Sequence, residues 1–165
     1  MKFLKSLILF LSSNNRTKTL FIEAYFMLAW ARFLKAIPFS KVVPSLGDPM
    51  QETSYFKKQD DIKNLKNISN AIHIMSGYTF WESQCLVKAI AGMKMLERRK
   101  IESTLYLGTA RDENGNMIAH AWLRSGTFYV SGADGMEKFT VVGKFAKRIS
   151  TTGLQGENNE YQKST

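Results

Sequence analysis

The sequence predicts an α+β fold in which N-terminal helices precede an antiparallel sheet. Apolar residues recur at helical spacing as far as Arg99, and from Ser103 onward the period shortens to two, with turn residues between short alternating runs. The period changes once only, so helices and strands are segregated along the chain instead of alternating. A chain of 165 residues has room for one core of useful size and little more.

Taken in order, residues 1–11 read as a short amphipathic helix. Lys2 and Lys5 precede five apolar residues, which is too short for a signal-peptide core, and no small-residue cleavage site follows. Residues 12–17 are a polar break. Residues 19–37 form a long, nearly all-apolar helix, with Thr19 as the expected N-cap and Pro38 as its stop. Glu23 and Arg32 interrupt its apolar run, so a helix buried on most sides is expected instead of a membrane span. Pro44, Gly47 and Pro49 mark a linker, and the polar stretch that follows, as far as Asp61, reads as loop.

From Asp61, Ile62, Leu65, Ile68, Ile72 and Met75 keep helical spacing up to Gly77. Ser83 is the expected cap of the next helix, residues 86–99, where Arg98, Arg99 and Lys100 suit the negative end of the dipole. Strands follow at 103–108, 117–124, 127–131 and 139–143. Asp112 to Asn116, Ser125-Gly126 and Gly132 to Gly135 are the turns between them. The expected division is an N-terminal helical region, 1–47, a catalytic core, 48–150, and a polar tail, 151–165, too poor in apolar residues to hold itself in place.

A single cysteine cannot close an internal disulfide, which fits a reducing cytoplasm. With two histidines it also cannot build a familiar zinc site, so no metal and no cofactor is expected. The net charge is +9, and residues 1–47 hold seven basic residues against Glu23 alone. Such a surface suits an acidic peptide or protein, or peripheral contact with an anionic membrane face. Nucleic acid is not expected, because the cations are scattered among apolar residues and not aligned with exposed aromatics.

Cys85 stands where the aromatic and polar segment 78–84 gives way to a helix, and unpaired N–H groups at a helix start favour a thiolate. His120 lies in the strand-like run Ala119-His120-Ala121-Trp122-Leu123. Cys85 as nucleophile and His120 as general base and acid would suffice to attack an amide. Asp134, one turn beyond the His120 strand, is the first candidate to hold the imidazole. Glu137 comes next, and Ser131 or a backbone carbonyl stays open. The backbone N–H of Cys85 suits an oxyanion, and Gln84, Ser83 or the Trp81 indole could supply a second donor. Each residue also has a plainer reading: Cys85 as a small buried hydrophobe, His120 as a core histidine, Asp134 as a turn residue.

Trp81-Glu82-Ser83-Gln84-Cys85-Leu86-Val87-Lys88-Ala89, Leu96 to Ile101, Leu105-Tyr106-Leu107-Gly108, Ala119 to Leu123 and Gly126 together resemble the transglutaminase-like peptidase of lasso-peptide biosynthesis, the peptidase half of the B protein. Glu23-Ala24, Leu34 and Ile37-Pro38-Phe39 resemble that family's N-terminal region, and the similarity covers residues 18–148. The resemblance implies a transglutaminase-like, papain-like cysteine peptidase fold. It also implies a function: hydrolysis of the bond between leader and core of a ribosomally made precursor, through a thioester on Cys85. The implied partners are the precursor leader peptide, a separate leader-recognition protein and an ATP-dependent lasso cyclase. In many relatives the third acid lies on the strand after the histidine, at a position close to Gly132, two residues before Asp134. The rival readings are a noncatalytic scaffold for precursor and cyclase, and an acyl transferase of transglutaminase type.

Overall fold

The computed structural model describes residues 14–56 and 61–149. The expectations for residues 1–11 and 151–165 lie outside them. Helix α1, Asn15–Lys35, runs 21 residues without glycine or proline, and Asn14 caps it by accepting the Arg16 N–H at 3.4 Å. Thr19, the expected cap, lies inside the helix. Its hydroxyl donates to the Asn15 carbonyl at 3.0 Å, so an asparagine five residues earlier does the capping.

The expected linker contains a helix, α2, Phe39–Leu46, with Pro38 at its N-cap and Pro44 inside it. Val42 and Leu46, one turn apart, are both buried, and that burial outweighs the backbone bond that Pro44 cannot donate. The expected loop after it holds a two-residue strand, β1, Asp48–Pro49, and the chain between β1 and Phe56 then crosses one face of the sheet. Helix α3 is Asp61–Ser76 and α4 is Cys85–Glu97, the latter starting at the cysteine itself. Gln84, not Ser83, is the N-cap residue of α4 and supplies no side-chain bond, while the Ser83 hydroxyl pairs with that of Thr79 at 2.9 Å.

The remaining strands are β2 (Ser103–Arg111), β3 (Met117–Ser125), β4 (Phe128–Ser131) and β5 (Thr140–Lys147), with a 3-10 turn at Met136–Lys138 before β5. All pairings are antiparallel, in the order β1-β5-β2-β3-β4, so the α+β expectation holds. β2 and β5 run several residues beyond their expected ends, because each finds a partner along that length.

Along β3, Ala121 and Leu123 are buried with Leu105 and Phe145 in a core that also takes in α1, α3 and α4. A methyl group on Gly92 of α4 would meet Leu123 Cδ2 at 2.8 Å and Ile72 Cδ1 at 3.1 Å, so the helix backbone lies directly on the sheet there. Ala24, Leu28 and Ala31 of α1 are fully buried in the same cluster. Glu23 ties α1 to the end of α4, meeting Arg99 at 2.6 Å and Arg98 at 3.1 Å. The helical region before Gly47 and the segment after it therefore share one core.

Candidate functional site

Cys85 is the first residue of α4 and only partly buried, packed against the edge of the core. With no side chain capping the helix, the first-turn N–H groups are left open, beginning at the thiol. The segment before it is held against α1 by two contacts. Glu82 accepts from Lys35 at the end of α1 at 2.7 Å, and that hydrogen bond, with the cation's charge, keeps the Glu82 carboxyl below its ordinary range. Trp81 packs on Tyr25 of α1 with ring centroids 5.1 Å apart and meets Phe80 edge-on at 4.5 Å. Its indole N–H is buried with no protein acceptor. Of the three side chains named as a second oxyanion donor, Ser83 is engaged with Thr79, whereas the Trp81 N–H stands unpaired.

His120 is half-buried on β3. Its Nε2 lies 2.9 Å from the Gly132 carbonyl oxygen, its ring faces Trp122 at 5.9 Å, and Phe139 packs at 5.0 Å on it. A carbonyl can only accept, so Nε2 carries the proton and the neutral ring keeps its lone pair on Nδ1. The acceptor is thus a backbone carbonyl and not Asp134. Asp134 is exposed and joins none of the hydrogen bonds or ion pairs of the described residues, nor does Glu137. The carbonyl can reach the ring because Gly132 adopts φ 73°, bringing its backbone against Ala121 and Trp122, where any Cβ would collide with the Ala121 carbonyl. Ser131, the other alternative, has a buried hydroxyl with no partner.

Cys85 and His120 reach the same end of the helix-sheet interface. Soon after α4 ends at Glu97, β2 begins at Ser103 beside the end of β3, with Thr104 opposite Arg124 and the Ser125 hydroxyl donating to the Glu102 carbonyl at 2.6 Å, so α4 and β3 run in the same sense. From the Gly92 contact with Leu123, two helical turns lead back to Cys85 and three strand residues lead back to His120, about 10 Å in each case. Side-chain alternation then separates them. Ala121 and Leu123 face the helices, whereas His120 falls in one row with Trp122 and Arg124. Among the described residues no hydrogen bond joins the thiol to the ring.

The second row is a polar and aromatic cluster that sequence reasoning missed. Tyr106 stacks on Trp122 at 5.5 Å with an 8° interplanar angle, and its hydroxyl receives the Arg124 Nε–H at 3.0 Å while donating to Glu52 at 2.9 Å. Arg124 is 1% exposed and also donates to the Gly126 carbonyl at 2.6 Å and the Thr53 carbonyl at 3.0 Å, with Tyr55 stacked on its guanidinium at 3.8 Å. Lys144 reaches Glu52 at 2.7 Å, and that hydrogen bond holds the Glu52 carboxyl below its usual range; burial pushes the Tyr106 phenol well above its own. The available signal was Arg124 itself, a long cation inside a run of otherwise inward residues.

Among the described residues no group of acidic, histidine and cysteine side chains is placed to hold a metal ion, and no helix is long and apolar enough to cross a membrane. Neither a curated protein nor a solved structure is found to match the chain. The family profile described as Transglutaminase-like superfamily matches residues 25–144, a span that includes Cys85, His120 and both sides of the expected boundary at residue 47. Members of that superfamily are typically cysteine-dependent enzymes, among them peptidases and acyl transferases. With a thiol at an open helix start and an imidazole on the neighbouring strand, this chain belongs to the transglutaminase-like superfamily.

Proposed function

We propose that the protein is a cytoplasmic cysteine peptidase that removes the leader from a lasso-peptide precursor. The observation that carries the reading is Cys85 at the uncapped start of α4. Sγ adds to the scissile carbonyl carbon, and the developing oxyanion is received by the Cys85 backbone N–H at the open helix start. His120 Nδ1 takes the thiol proton and passes it to the departing amine as the C–N bond breaks. Water then cleaves the thioester, leaving the leader with a free carboxylate. In the free protein the Gly132 carbonyl keeps the proton on Nε2 and so leaves Nδ1 to accept. His120 shares the Trp122 row and not the helix-facing one, so the transfer from the thiol requires the ring to leave that row and bring Nδ1 to Sγ when substrate binds. A separate leader-recognition protein delivers the precursor, and an ATP-dependent cyclase consumes the core.

A second reading, a noncatalytic scaffold for precursor and cyclase, is favoured by one observation: His120 shares its row with Trp122 and is not bonded to the thiol. Precursor, recognition protein and either native protein or Cys85→Ala are combined and followed by mass spectrometry. Cys85→Ala is expected to lose at least about 10⁴-fold in leader removal while keeping the native circular dichroism. His120→Ala is expected to fall by a comparable factor. Undiminished maturation by Cys85→Ala would establish the scaffold instead, and a leader released as an amide would establish acyl transfer.

A further inference from the structure

A groove of about 670 Å³ opens between the first turns of α1 and the outer face of α3, away from the thiol. Arg16, Lys63 and Arg99 contribute cations to its lining, and among the described residues no Asp or Glu lines it. Arg99 is already paired with Glu23, whereas Arg16 and Lys63 are exposed and make no ion pair among the described residues.

Two features of the sequence run against helix stability at this place. The first turn of α1 holds no acid, and Arg16 and Lys18 stand at the positive end of its dipole, an arrangement that costs stability unless an anion is present. On α3, Asn64, Asn67 and Asn70 line the groove at three-residue intervals within the helix, where asparagine is a weak helix former. None of the three carboxamides makes a hydrogen bond among the described residues. Each presents a donor and an acceptor, the pair that a peptide backbone requires. Leu20, Ile68 and Ile74 supply apolar floor for side chains.

From this combination we infer that the groove binds an acidic peptide segment, its carboxylates meeting Arg16 and Lys63 and its backbone meeting the carboxamides of α3. Peptide is favoured over nucleic acid because carboxamides and aliphatic side chains, not a series of open aromatic faces, make up most of the wall. The inference does not rest on the peptidase reading.

The test is fluorescence anisotropy on the full chain with a labelled peptide of alternating glutamate and leucine, and with its lysine and leucine counterpart. The acidic peptide is expected to bind, more weakly as salt rises, and the basic one not to bind. Arg16→Glu with Lys63→Glu should weaken binding about tenfold or more. Asn67→Ala with Asn70→Ala, which raises helix propensity and so keeps the fold, should weaken it about threefold. Cys85→Ala should bind as the native protein does, whether or not it cleaves anything. Equal binding of both peptides, native affinity in both double variants, or preferential binding of labelled oligothymidylate would overturn the inference.

Discussion

His120 Nε2 has a neutral partner, the Gly132 carbonyl, and the contact depends on a backbone conformation that only glycine adopts cheaply. Gly132→Ala would introduce a Cβ against the Ala121 carbonyl at φ 73°, at an expected cost of about 2 kcal/mol or more. The same change should release the ring, and imidazole NMR should then show loss of the single protonated Nε2 form. An unchanged ring spectrum would mean that the carbonyl does not fix the tautomer. Cys85 and His120 stand out in the sequence as candidates because their chemistry is carried by side chains. The acceptor of the Nε2 proton does not, since a backbone carbonyl belongs to every residue and only the fold selects one. Asp134 drew attention because an aspartate between glycines has the same appearance in an active site as in an ordinary turn, and here it is exposed.

Among the elements, the four main strands and the helices at α1, α3 and α4 follow from periodicity, with boundaries that shifted where tertiary pairing extended them. The segment between β1 and Phe56 did not follow, because its fixed course depends on partners far along the chain. Glu52 meets Tyr106, Arg124 and Lys144, while the backbone N–H of Thr53 donates to Thr104 Oγ1 at 2.9 Å. α2 was hidden for a related reason: Pro44 and Gly47 read locally as a linker, and only the buried pair Val42 and Leu46 reveals the helix. Because the folded carboxyl of Glu52 titrates below its ordinary value of 4.5, it adds stability above that value and loses it as pH falls through the lower, folded one. Glu52→Gln should therefore show a shallower decline of unfolding free energy below pH 4.5 than native protein, read from urea titrations at stepped pH. Parallel declines in the two proteins would remove the carboxylate from the account.

For the whole molecule, the division at residue 47 does not separate two cores. Ala24, Leu28 and Ala31 pack into the cluster that holds Val87, Leu105 and Leu123, and the family match crosses the same point. A fragment of residues 48–149 would lose the cover over α4 and expose much of that cluster to water. It is expected to show no cooperative thermal transition by circular dichroism, whereas residues 14–149 should show one. A cooperative transition in the shorter fragment would restore the boundary. The composition shift at residue 47 reflects a change from apolar helix to polar crossing segment, and such a change marks domain limits only when contacts stop there as well.

The stack of Tyr106, Trp122 and His120 places the Arg124 cluster on one side of the indole and the candidate general base on the other. An indole held between them is an intrinsic fluorophore. Once the other two tryptophans, Trp30 and Trp81, are replaced by phenylalanine, its emission should respond both to a positive charge arriving on the imidazole face and to loosening of the phenol face, so Trp122 monitors the site from within the sheet without any added label.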